Sequence, residues 1–125
     1  MPAIHEANNL GDLLKYEAPN LYSRDLATVA TGQNLALGAV VGLETSTSKL
    51  KALDPAAIDG TENAVGVLAS SVDATLVDRS DALLITRHAI VANHALVWPA
   101  AITPAQKATA IAQLEARGVL VRTAA

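Results

Sequence analysis

"ALLITRHAIV", residues 82–91, is the stretch on which the fold turns. Side chains alternate between the two faces of a strand. Leu83, Ile85, Ala89 and Val91 therefore share one face, and Leu84 and Ile90 fall on the other. A strand apolar on both faces belongs inside a barrel or sandwich rather than at a wet edge. This stretch predicts a β core.

Outward from it, short apolar segments separated by turn residues continue in both directions. Upstream, "AVGVLASSV" (64–72) reads as a second strong strand, and "DPAAIDGTEN" (54–63) as a long connection with turn chemistry at Asp54-Pro55 and Asp59-Gly60. "LKAL" (50–53) is a return strand behind the polar hairpin loop "ETSTSK" (44–49). "LALGAVVGL" (35–43) carries Gly38 and Gly42, which suggest a bulge or a close backbone approach. "LATVAT" (26–31) and the turn "GQN" begin the series. Downstream, Thr103 can cap a helix, Pro104 suits its first position and Gln106 completes a capping box. Ala105, Ala108, Ile111, Ala112 and Leu114 are the expected buried stripe, which puts Gln113 on the outer side, and Gly118 is the expected terminator. "VLVR" (119–122) offers a last strand. The expected fold is mainly β (β-rich α+β), with one C-terminal helix.

Residues 1–25 lack such a period. Leu10, Leu13, Leu14 and Leu21 are irregularly spaced around Gly11 and Pro19, and the residue before a proline is pushed toward extended geometry. The reading is an extended N-terminal arm (1–25), with one helical turn near Gly11 to Lys15, ahead of a single β-rich domain (26–125). Tyr16 and Tyr22 lie in that arm, and Trp98 is the only other aromatic. With Leu13, Leu14, Pro19 and Leu21 they form a candidate docking segment: an extended chain can join a sheet edge, with tyrosine rings as amphipathic anchors. The opposing reading is that the arm folds back and the tyrosines cover the domain's own β face.

The chain has 125 residues, is 51% apolar but only 2% aromatic, and contains no phenylalanine. Much of the apolar share is alanine, so the private core is expected to be thin, which favours assembly or docking onto something larger. The net charge is −3 and the nine lysines and arginines are scattered singly. No basic stripe exists to follow a phosphate backbone, so direct nucleic-acid binding is not expected. The absence of cysteine excludes disulfides, thiolate metal sites and cysteine nucleophiles. The start "MPAIHEANNLGD" lacks the pattern of a signal peptide, and the longest apolar run, Leu35 to Leu43, is far short of the ~20 residues that span a bilayer. A soluble protein with no membrane contact is expected.

Catalytic and metal constellations find no support. His88 and His94 are six residues apart, which is not the helical spacing of a ligand pair, and His5 lies in the arm. Ser70-Ser71 lacks a nucleophile elbow. Asp73, Asp78 and Asp81 flank the turn "VDRSD", where such residues are ordinary turn formers. No glycine-rich phosphate loop is present. No enzyme activity, cofactor or metal is expected. Trp98, followed by Pro99 in "LVWPAAITP", either packs over the helix start or marks a subunit contact, since tryptophan is enriched at interface hot spots.

The blocks "NLGDLLKYEAPNLYSRD", "KALDPAAIDGTENAVGVL", "RHAIV" and "LVWPAAITPAQKATAIAQLEARGVLVR" resemble the bacteriophage head decoration proteins of the lambda protein D type, from about Asn9 to Arg122 and in the family's order. The resemblance implies a small β-clip-like fold. It implies a virion protein made in the host cytoplasm that binds as a homotrimer on the outer surface of the expanded icosahedral head, at three-fold and quasi-three-fold positions. There it would staple the major capsid protein subunits together, with the N-terminal arm engaging the shell. It supplies no catalytic residue. Two other readings stay open: another trimeric virion component, of tail or baseplate, and a β-clip nucleotide-binding enzyme, whose nucleotide-binding motifs are not seen in the sequence.

Overall fold

The computed structural model describes residues 9–19 and 23–123. The chain forms a short helix α1 (Leu10–Leu13), strands β1 (Leu14–Glu17), β2 (Arg24–Val29), β3 (Gln33–Leu35), β4 (Val40–Glu44), β5 (Lys49–Ala52), β6 (Ala64–Leu68), β7 (Val72–Ala74), β8 (Arg79–Ile85) and β9 (Ala89–Ala92). A 3-10 turn (Asn93–Ala95), the long helix α2 (Pro104–Ala116) and β10 (Val119–Arg122) complete it. Among the described residues, strands account for 42% and helix for 19%, so the expected β-rich class with a C-terminal helix is what the chain adopts. No helix among the described residues is long and apolar enough to cross a membrane.

Strands β2-β5-β4-β6-β8 close into a barrel. Every barrel strand sends a residue to the inner cluster: Val29, Leu50, Val41, Leu68 and Leu84, joined by Leu35 and Val72 from the small β3–β7 pair. The outer wall carries a second cluster. Val40, Val67 and Ile85 meet Ala110 and Leu114 of α2, Leu13 of α1, and Ala89, Val91 and Val119 of the sheet β1-β9-β10. In β8, Leu84 enters the barrel interior, while Ile85, with Leu83 packed partly beside it, joins the outer cluster. Both faces of this strand are buried because the barrel wall is the middle layer between two cores. Period-two alternation of apolar residues on both faces predicts that layering.

The predicted turns and breaks hold at specific atoms. A Cβ on Gly42 would lie 2.5 Å from Thr61 O, and the β4–β6 register shifts between Val41 and Gly42. Gly38, with φ 92°, has Ala95 O only 2.3 Å from where a Cβ would stand. Both glycines are therefore places where another backbone approaches too closely for any side chain. Thr103 Oγ1 accepts from Gln106 N at 3.2 Å and Gln106 Oε1 from Thr103 N at 2.9 Å, which closes the capping box of α2.

Two expectations are corrected, and a third resolves between alternatives. First, residues 82–91 are two strands. The chain leaves the barrel at Ile85, turns through Thr86–His88, and enters a different sheet at Ala89. His88 takes the left-handed conformation (φ 49°), its carbonyl accepts from Ser23 Oγ at 2.8 Å, and Ala89 N donates to Gly118 O at 3.1 Å. Second, α2 buries Ala110 and Leu114, half-buries Ile111, and leaves Ala105, Ala108 and Ala112 exposed. Alanine is compatible with either side of a helix, so an alanine-rich stripe does not fix which side faces the core. Third, of the two readings of the N-terminal segment, the folded-back one describes residues 9–19, and the expected helical turn is present at Leu10–Leu13. Asn9 caps α1 by a reciprocal capping box with Asp12, Leu13 is fully buried, and β1 pairs antiparallel with β9.

Candidate docking surface

The N-terminal segment is held by short-range chemistry that the sequence does not advertise. Leu13 fills a place in the outer core, and Leu14 packs partly against the same cluster. β1 pairs antiparallel with β9, and β2 pairs antiparallel with β8. Glu17, at the end of β1, and Arg24, at the start of β2, are joined by two parallel hydrogen bonds of 2.6 Å each, Arg24 Nε to Oε2 and Nη2 to Oε1. This hydrogen bond raises the Arg24 pKa above its ordinary value. Ser23 is fully buried, accepts from Ala18 N at 2.9 Å and donates to His88 O at 2.8 Å, so one hydroxyl ties the segment to the break between the barrel and the outer sheet.

The sequence-predicted docking residues separate accordingly. Leu13 is interior and cannot touch a partner while the segment stays folded; Leu14 is half-buried; Tyr16 is 54% exposed; Pro19 is exposed. Leu21 and Tyr22 lie outside the described residues, as does His5. Trp98 is half-buried against the outer cluster. It also lines, with Leu35, Ala36, Ala39 and Pro99, an open groove of about 230 Å³. The neighbouring Val97 is tied to the barrel by Val97 N to Gly38 O at 2.9 Å and Val40 N to Val97 O at 3.2 Å. The packing reading of Trp98 thus has a geometric basis.

Tyr16 does not stand alone. In the sheet β1-β9-β10, Tyr16 is opposite Ile90, and Ile90 is opposite Leu120. Residues opposite one another project from the same face. Ala89, Val91 and Val119 point into the outer core, whereas Tyr16, Ile90 and Leu120 belong to neither core cluster. They make one apolar row across the reverse face of the sheet, with Tyr16 exposed and Ile90 and Leu120 half-buried. Reading Ile90 as one face of a doubly buried strand missed this row. The signal was the parity of Tyr16, Ile90 and Leu120, but it becomes visible only once three segments far apart in sequence are paired.

Two cations border the row. Lys15, the extra residue where the β1–β9 register shifts, donates its Nζ to Gly11 O at 2.9 Å. Arg122, two residues beyond Leu120, reaches only its neighbour Val121 O at 3.3 Å. Among the described residues neither has a carboxylate within ion-pair distance. The exposed apolar side chains outside the row are Leu26 on the barrel wall, Ile58, the adjacent pair Leu76 and Val77, and Val97.

The acids that could have suggested chemistry are turn formers in the structure. Asp73 Oδ1 accepts from Thr75 N and Oγ1, and Asp81 pairs with Arg79 at 3.1 Å. Asp78 accepts from Thr31 N at 2.8 Å and Thr31 Oγ1 at 2.7 Å and meets Lys49 Nζ at 2.5 Å. Asp78 is pushed down to about 2, by the Lys49 bond first and the Thr31 bonds next. His88 and His94 are both exposed, and among the described residues no group of three or more His, Asp or Glu could hold a metal ion.

No curated protein matches the chain. A model of the family described as bacteriophage lambda head decoration protein D matches residues 3–119 of the 125. The match includes the capped α1, the whole barrel, α2 and the start of β10, so it spans both cores rather than one motif. The chain accordingly belongs to the phage lambda head decoration protein D family, structural proteins of the virion capsid.

Proposed function

We propose that this protein decorates the outside of the expanded phage head as trimers at three-fold and quasi-three-fold positions, and staples neighbouring major capsid subunits together. The family match over residues 3–119 is the observation that carries this reading. The structure is consistent with a structural role. Its interior is two thin clusters built largely from Ala, Val and Leu, and its reverse sheet face carries an apolar row. A role without catalysis follows from the same family. The N-terminal segment engages the shell with the part that is not committed to the molecule's own core; Leu13 is so committed, and Tyr16 is not.

Adding the purified protein to undecorated heads before and after expansion tests this. Reconstructed particles should show three-fold knobs on expanded heads only, and decorated heads should resist heat or chelator better than bare ones. Binding confined to tails or baseplates, or single subunits spread over the shell, would overturn it.

A further inference from the structure

We propose that the reverse face of the sheet β1-β9-β10 is the surface that seats on the shell, and that it takes an acidic protein segment carrying apolar side chains. This rests on the decoration reading and goes beyond it by naming the face, its anchors and the chemistry of its partner.

Tyr16, Ile90 and Leu120 stand in register across three strands, Tyr16 exposed and the other two half-buried, and none of them joins either core. Adjacent strands are ~4.8 Å apart, so the row is about 10 Å across and matches the footprint of one extended chain or one helix laid over it. An apolar row on a sheet face that supports no core of its own marks a contact surface rather than a stability element. The sheet is also rigid where the row sits. Val91 and Val119 are fully buried beneath it, and Ser23 ties its border to the barrel. Little side-chain or backbone ordering is then needed on docking.

Charge selects the partner. The chain carries −3 overall, yet the two charged side chains bordering the row without a carboxylate partner among the described residues are both cations, Lys15 and Arg122. A second copy of this net-acidic chain would have to bring a local acidic patch to the face. The exposed Asp73, Asp78 and Asp81 already serve Thr75, Lys49 with Thr31, and Arg79. A partner that presents unpaired carboxylates around apolar residues satisfies the border directly, with Tyr16 contributing an apolar ring and a hydroxyl at the rim.

The test is co-sedimentation of the full chain with expanded, undecorated heads over a range of salt. Leu120→Asp places a charge in the middle of the row, and Arg122→Glu reverses its border; Ile58→Asp, on a loop residue that is 98% exposed, is the control. Both row variants should lose at least about tenfold in affinity, as expected for an interface anchor, while the control binds like wild type. Wild-type binding should weaken as salt rises, and Arg122→Glu should flatten that dependence. Should Leu120→Asp melt early, Arg122→Glu decides alone, because its side chain is exposed. Wild-type affinity in both row variants would overturn the proposal. So would normal binding to heads with a changed oligomeric state in solution, which would make a second copy the occupant. Wild-type protein that fails to bind heads at all would instead sink the decoration reading itself.

Discussion

The side-chain amide of Gln113 accepts a hydrogen bond from Ala64 N at 2.8 Å and donates to Asn63 Oδ1 at 2.9 Å, which pins α2 to the first residue of β6. On the sequence alone, Gln113 falls on the outer side of the helix, where truncation to alanine would be nearly silent. The structure reverses that expectation. Gln113→Ala leaves the N–H of the buried Ala64 without its acceptor, at a cost of ~1–3 kcal/mol. Chemical denaturation of Gln113→Ala beside Lys107→Ala, at a position that makes no such side-chain bond to β6, should show the loss only in the former. The general point at this scale is that a polar residue's role depends on which backbone donor comes within reach. That donor is 49 residues away in sequence.

At the scale of elements, α1 and β1 decide how much of the N-terminal segment can act as an arm. Leu13 is fully buried in the outer cluster with Leu114, and β1 occupies an edge of β9. Leu13→Ala and Leu114→Ala should each cost ~2–5 kcal/mol, the range for deleting a buried leucine. Equality of the two in thermal melts would show that the N-terminal segment is as much part of the fold as α2. A silent Leu13→Ala would restore a free arm. Truncation of residues 1–25 removes Leu13, all of β1 and the first residues of β2, so the shortened chain should melt well below the full one. Loss of head binding in such a truncation therefore cannot by itself identify shell contacts; point changes on the reverse face can.

For the whole molecule, the distribution of carboxylates sets the response to acid. Asp78 is held down to about 2 by Lys49 and Thr31, and Asp25, Glu44, Asp59, Asp73 and Asp81 are likewise lowered, chiefly by hydrogen bonds from Arg87, Lys51, Thr61, Thr75 and Arg79. Unfolded aspartate titrates near ~3.9. A carboxylate whose pKa is depressed by folding contributes stability that is complete above the unfolded value and lost as pH falls through the folded one. For Asp78 that window runs from roughly pH 4 down to about 2. Melting temperature should be flat from neutral pH to about 5 and fall steeply below about 4. Asp78→Asn should lower it at pH 7 and shrink the acid drop; an unchanged acid drop would show that Asp78 is not among the groups responsible.

Features that depend on neighbours in the chain were legible before folding. The capping box of Thr103 and Gln106, the terminating Gly118, the hairpin between β4 and β5, and the β8 segment apolar on both faces are local signals, and each appears where the residues demand it. Family membership was legible for a related reason, since ordered blocks along the chain carry it. The tertiary structure alone decided three things. It broke residues 82–91 between a barrel and an outer sheet, because His88 turns the chain and Ser23 and Gly118 hold that turn. It placed Ala110 rather than Ala108 or Ala112 against the core, because small residues fit either side of a helix and the packing of α2 on β6 and β10 chose between them. It also assembled Tyr16, Ile90 and Leu120 into one row. Strand pairing joins residues by register rather than by distance along the chain, and no local pattern in three separate segments encodes which of them will lie side by side.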